Sequence, residues 1–334
     1  MKRALAVGID HYPTMTNLGG CVADAEAVAE LLRRNDDGSR NFTVQVLLGT
    51  ATNPGGVTRG LLRDELGRLF ANSRDHDLLF YFAGHGGQTA WGADLMTQDG
   101  THNSPGVSMN DLITLANGSA ARSATIILDC CYSGDVGNVA ALQPLSIAEQ
   151  FRHGVAVLRE NVVVMTASRP TEPVGEARGH GVFTRVLLAG LEGGATDHLG
   201  RITGLGLYEF VSAAFDAWAQ RPLLKAHLTE PTVLREGRPW LDVELLRELP
   251  QHFPKAKARV RLSPDHEGEG RPFPPGLTGT AEQQQFDYFG RLRNANLLTT
   301  DEGRALYWVA LEGGEVYLTP IGQYFWDLAR RDAL

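Results

Sequence analysis

Short apolar runs recur along the first two-thirds of the chain, and they restrict the fold more than any other feature. They are LAVGI at 5–9, FTVQVLL at 42–48, DLLFYFA at 77–83, ATIIL at 124–128 and NVVVMTA at 161–167. Between them lie stretches of helical periodicity. Val22, Ala25, Val28, Leu31 and Leu32 mark a helix over 22–34; Leu61, Leu62, Leu66 and Leu69 mark another over 57–70. Ser108 reads as the N-cap of a helix over 108–116, three residues before Asp111. Further helices are read over 182–191 and 205–219. Buried strands alternating with amphipathic helices predict an α/β sandwich around a mostly parallel sheet. Ligands of such sheets bind beyond the carboxyl ends of the strands.

Two chemical groups fall just past strand ends. Gly84-His85-Gly86-Gly87 follows the third run, and Asp129-Cys130-Cys131-Tyr132-Ser133-Gly134 follows the fourth. A cysteine nucleophile needs a base and donors for the oxyanion of its tetrahedral intermediate. His85 supplies an imidazole with little bulk around it, and Cys131 a thiol on a tight turn. The backbone N–H groups of Gly86 and Cys131 are the candidate oxyanion donors. Taken singly, each has a plainer reading, a loop histidine and a core cysteine.

Taken together, the motifs resemble those of caspase-like cysteine peptidases, the metacaspases and related bacterial proteins in particular. Tyr81-Phe82-Ala83-Gly84-His85-Gly86 is similar to their Y-x-[SA]-G-H-G segment, and Asp129 to Gly134 to their D-S/A-C-H-S-G block. Residues 6–12 with 18–25 resemble the metacaspase opening, and Gly181-Val182-Phe183-Thr184 its G-x-F-T. The resemblance covers roughly residues 3–235, in order. It implies the caspase–haemoglobinase fold and peptide-bond hydrolysis by a Cys131–His85 dyad, with Cys130 as a packing residue. It also implies that Asp24 and Asp129, with Cys21 beside them, line the S1 pocket and select Arg or Lys at P1. The caspase block Q-A-C-R-G is absent, which argues against Asp specificity. Tyr132 departs from the family's usual His. Such enzymes are often latent; Arg152 and Arg159 lie between the nucleophile and the next strand and are the candidate activation cleavage sites, cut by the enzyme itself or another protease. An activating partner protein is the other expectation. No cofactor is expected beyond calcium, which many metacaspases bind; Asp94, Asp99, Asp111 and Asp135 are the loop acids on hand, without forming a dense cluster.

Composition narrows the alternatives. The net charge is -8, with 39 acids against 31 bases, which argues against a nucleic-acid partner. Three cysteines without a CxxC pair suggest neither a disulfide framework nor a zinc site. MKRALAVGID reads as a buried strand and not a signal peptide, and no run reaches membrane-spanning length, so a cytoplasmic, reducing setting is expected.

The peptidase domain is assigned to 1–240. A Pro- and Gly-rich linker follows over 241–279, including the basic Lys255, Lys257, Arg259 and Arg261. Residues 280–334 read as a helix, a hairpin around Glu312-Gly313-Gly314-Glu315 and a helix opened by Thr319-Pro320, a winged-helix-like module. Its eight acids against five arginines favour protein interaction over DNA binding. The rival readings are an inactive caspase-like scaffold and a DNA-binding regulator acting through this tail.

Overall fold

The computed structural model describes residues 1–89, 92–101, 104–131, 158–167, 181–215, 222–267 and 279–334, with only the backbone of Gln88, Thr89 and Cys131. They form two compact units, one of residues 1–196 and 201–238, the other of 197–200 and 239–334.

In the first unit, strands β1 (Lys2–Ile9), β2 (Thr43–Gly49), β3 (Asp77–Thr89), β6 (Ser123–Cys131), β7 (Val162–Thr166) and β9 (Leu223–His227) pair in the order β2-β1-β3-β6-β7-β9. All pairings along this path are parallel except that of β9 with β7. β4 (Gly92–Thr101) and β5 (Ser104–Ser108) extend β3 as an antiparallel flap, and β8 (Arg201–Thr203) pairs with β10 (Val233–Glu236).

The runs of β1, β3, β6 and β7 are continuous because these inner strands are buried on both faces. Successive side chains alternate between two cores. Leu78, Phe80 and Phe82 pack with α2 (Arg59–Phe70) and α3 (Met109–Gly118). Leu79, Tyr81 and Ala83 pack with α1 (Cys21–Arg33), α4 (Val182–Ala189) and α5 (Gly204–Ala214). The predicted α/β sandwich with a mostly parallel sheet is the architecture found. Thr58 and Ser108 cap α2 and α3, each accepting a backbone N–H of the first turn.

Helix α1 lies close on the sheet because β1 carries glycine where they meet. A Cβ on Gly8 would stand 2.2 Å from the Cys21 carbonyl oxygen. The residue at the N-cap of α1, Gly20, has no side chain to cap it; instead Asp10, just past β1, accepts from the N–H groups of Cys21 (2.8 Å) and Val22 (3.2 Å).

The second unit departs from its sequence reading in two places. The expected linker over 241–279 is, in its described residues, part of a folded unit. It carries α6 (Val243–Arg247), α7 (Leu249–His252) and β11 (Arg259–Arg261), and buries Leu241, Leu246, Leu249, Phe253 and Leu262. Prolines and glycines are frequent in it, but apolar residues at 246, 249 and 253 keep helical spacing and supply the core.

The expected hairpin is also absent. Residues Leu306–Leu311 form helix α9, and only Glu315–Leu318 is a strand, β13. Gly313 has φ +66°; its N–H reaches Ala310 O at 3.2 Å, and that of Gly314 reaches Val309 O at 2.8 Å. This is a Schellman stop for a helix, so the Gly-Gly pair ends α9 and does not turn a hairpin. β13 pairs antiparallel with β11 and with β12 (Leu298–Thr300), between α8 (Ala281–Asn294) and α10 (Pro320–Arg330). The winged-helix reading rested on that hairpin and is not confirmed. Among the described residues no helix is long and apolar enough to cross a membrane.

Candidate functional site

The parallel register brings the two candidate catalytic positions together. Gly84 pairs with Cys130 and His85 with Cys131, at the carboxyl end of β6 and of its pairing with β3. Neighbouring strands lie about 4.8 Å apart, so His85 and Cys131 are backbone neighbours despite their distance in sequence. Cys130 is fully buried in the core that holds Phe82 and Tyr12.

The imidazole is fixed from the loop after β1. His85 Nε2 lies 2.7 Å from the Thr16 carbonyl oxygen. A carbonyl only accepts, so Nε2 carries the proton and a neutral ring keeps its lone pair on Nδ1. Tyr12 holds the residue from the other side: its hydroxyl accepts the His85 backbone N–H at 2.9 Å, and the ring centroids are 4.8 Å apart. The loop is itself tied down, with Tyr12 N–H on Asn17 Oδ1 (2.9 Å) and Leu18 N–H on Asp10 O (2.8 Å). Burial, above all, pushes the Tyr12 phenol well above its ordinary pKa. Gly86 follows at the start of the flap, paired with Leu95.

The candidate pocket acids also converge. Asp24, in the first turn of α1, and Asp129, near the end of β6, are each 2% exposed. Gly181, preceding α4, sits against both: a Cβ there would lie 3.0 Å from Asp129 Oδ2 and 3.5 Å from Asp24 Oδ2. The Gly181 N–H donates to Asp24 Oδ2 (3.3 Å), and the Thr184 hydroxyl to Asp129 Oδ2 (2.6 Å). Tyr81 OH lies 2.6 Å from Thr184 Oγ1. Burial first, then the charges of Asp129 and Asp24, push the Tyr81 phenol well above its ordinary pKa. Cys21 is buried in the same core as Tyr81 and Phe183.

Arg159 lies elsewhere. It precedes β7, whose Val162 pairs with Ala124 at the far end of β6, about 23 Å along the strand from Cys131. Its guanidinium donates to Ala116 O, Ser119 Oγ, Ala121 O and Glu160 O, closing the end of α3. Arg152 and Asp135 lie outside the described residues. Of the other acids weighed for calcium, Asp99 accepts from Arg59 N–H and Thr97, and Asp111 pairs with Arg63. Among the described residues no group of three or more His, Cys, Asp or Glu could hold a metal.

Thr16, Tyr12, Tyr81, Gly181 and Thr184 were not singled out from the sequence as site residues. Thr16 acts through its carbonyl, which every residue has, and so leaves no signal. Tyr12, Tyr81, Gly181 and Thr184 stand within the motifs quoted above, where they could have been noticed.

The sequence matches the caspase domain family model over residues 1–233. It is 31% identical over 90 residues to Metacaspase-1 of Schizosaccharomyces pombe, a match spanning 26% of this chain and 21% of that relative. Two solved structures are similar at low identity. A Geobacter sulfurreducens protein shares 18% identity with a TM-score of 0.47, covering 71% of this chain and 97% of its own. Caspase-1 from Spodoptera frugiperda shares 12% with a TM-score of 0.45, covering 71% and 90%.

Proposed function

The chain belongs to the caspase-domain peptidase family, and from that premise we propose that it is a cysteine endopeptidase that cleaves proteins after Arg or Lys. The observation that carries this reading is the register pairing of His85 with Cys131, beside an imidazole whose Nε2 is committed to Thr16. In the proposed reaction His85 Nδ1 takes the Cys131 thiol proton, and the thiolate attacks the P1 carbonyl carbon. The N–H groups of Gly86 and Cys131 receive the oxyanion. The imidazolium gives its proton to the departing amine, leaving a thioester. His85 then deprotonates water, which attacks the thioester and frees the new carboxyl end and the thiol.

The basic P1 preference is supported by two buried carboxylates meeting at Gly181. Two carboxylates held together out of water favour a cation beside them, and a guanidinium or ammonium at P1 is one. Latency is part of the reading: cleavage within 132–157, at Arg152 for instance, or an activating protein frees the site. The second unit suits the recruitment of such a protein, since Tyr307 and Trp308 stand exposed on α9 with ring centroids 4.9 Å apart.

The test is cleavage of fluorogenic peptides with Arg, Lys or Asp at P1, with and without calcium, beside Cys131→Ala. Arg and Lys cleavage that disappears in Cys131→Ala is expected. Asp cleavage would overturn the acidic pocket. Cleavage that persists in Cys131→Ala would remove the nucleophile.

A further inference from the structure

The two pocket acids pose an electrostatic problem that the fold has to solve. Both are nearly inaccessible, and both have an oxygen beside Gly181. Like charges brought together out of water each favour the protonated form of the other. A neutral Asp129 would no longer attract a cationic side chain. A donor to the carboxylate favours its charged form before substrate arrives.

Helix α4 and strand β3 supply the donors. Thr184 is completely buried, and its hydroxyl lies 2.6 Å from Asp129 Oδ2. That hydroxyl has one proton, and the carboxylate takes it. The 2.6 Å contact between Thr184 Oγ1 and Tyr81 OH must then be donated by Tyr81. Tyr81 is fully buried and holds its proton well above the ordinary phenol range, as a donor must. The hydroxyls thus form a one-way relay, Tyr81 to Thr184 to Asp129.

We propose that Thr184 and Tyr81 are positioning residues for substrate selection, holding the Asp129 carboxylate charged and oriented for a basic P1 side chain. The proposal rests on the reading of Asp24 and Asp129 as the S1 acids. A buried Tyr–Thr–Asp chain could also serve packing alone. The two roles differ in what they do to a neutral substrate: packing affects all substrates, whereas the relay affects only those whose P1 group is charged.

The experiment compares two peptides in the full-length chain, identical except for Arg or citrulline at P1. Citrulline keeps the shape of arginine and lacks its charge. Thr184→Val keeps the side-chain volume and removes the hydroxyl. A hydrogen bond to a charged group is worth about 10- to 100-fold. The kcat/KM for the Arg peptide should fall by that factor, mostly through KM, with the citrulline value held within about twofold. Tyr81→Phe should give a smaller loss of about fivefold. Thr184→Ser should restore the Arg preference. The double variant Tyr81→Phe, Thr184→Val leaves no tyrosine hydroxyl stranded and decides the matter should Thr184→Val fold poorly.

An unchanged Arg/citrulline ratio in Thr184→Val and the double variant, with the ratio collapsed in Asp129→Asn, overturns the relay and leaves the acidic pocket standing. A ratio unchanged in Asp129→Asn as well overturns the pocket and the relay with it. Equal losses on both peptides, or no rescue by serine, also overturn the relay, because either outcome assigns the hydroxyls to packing.

Discussion

At the scale of single residues, the tautomer and placement of His85 depend on two groups of the loop after β1. The Thr16 carbonyl settles which nitrogen carries the proton, and the Tyr12 hydroxyl holds the backbone beneath the ring. Tyr12→Phe keeps the ring contact and removes the acceptor for the His85 N–H. We expect kcat for an Arg peptide to fall about tenfold with KM nearly unchanged, since the geometry of proton transfer is affected and not the pocket. Equal kcat in the two proteins would remove Tyr12 from the machinery. Arg159 invites a different comparison. Its guanidinium serves four acceptors at the end of α3, and burial lowers its pKa below the ordinary arginine value. Withdrawing it for a protease would break that set, which leaves Arg152 as the cleavage site of the proposed scheme. Arg152→Ala should therefore block processing, read by mass spectrometry of the fragments. Arg159→Ala should leave processing intact and cost about 2 kcal/mol in chemical denaturation. Processing lost only in Arg159→Ala would reverse the assignment.

At the scale of elements, β3 is anchored at one end and chemically equipped at the other. Its first residue, Asp77, is buried and accepts from Arg122 Nε (2.9 Å), from a second Arg122 nitrogen and from Ser123 Oγ (2.8 Å). Burial pushes this carboxyl up, but the Arg122 and Ser123 bonds push it further down, so it sits below the usual carboxylate range. A lowered acid contributes stability above its unfolded pKa of about 3.9, and that contribution is lost as pH falls through the folded value. Asp77→Asn should thus cost about 1–3 kcal/mol in urea unfolding at pH 7, with the gap closing below about pH 4. A gap that stays constant as the pH is lowered would refute the charge argument. The strand itself was plain in the sequence, because burial on both faces leaves an unbroken apolar run. The flap β4–β5 was not, since GADLMTQDGT and SPGVS carry no such run. LYWVAL at Leu306–Leu311 was read as a strand because six apolar residues fit either period, and only the left-handed Gly313 settles it as a helix. The positions of the proposed dyad were legible through their motifs. Their supports were not, since a carbonyl and two buried hydroxyls acquire roles only once the register and helix packing are known.

At the scale of the whole molecule, the chain divides its labour between separate cores. All the residues of the proposed chemistry belong to the unit of residues 1–196 and 201–238, whose two apolar layers enclose the sheet. The other unit has a core of its own, built around Phe253, Phe289, Leu292 and Trp326. Independent cores predict independent melting. Calorimetry of the intact chain should resolve two transitions, and a chain ending at Arg238 should keep one of them and still cleave an Arg peptide. One detail sets a cost on that truncation. Residues 197–200 leave the first unit to join the second, where His198 Nε2 meets the Ala295 carbonyl oxygen at 3.1 Å and its ring lies 5.6 Å from that of Phe325. In the truncated chain this short excursion loses its partners, so the remaining transition should fall by a few degrees, without losing cooperativity. A truncated chain that unfolds without a cooperative transition would mean that the first unit depends on the second for its fold. A truncated chain that melts as predicted but has lost cleavage would move the second unit from recruitment into the catalytic cycle.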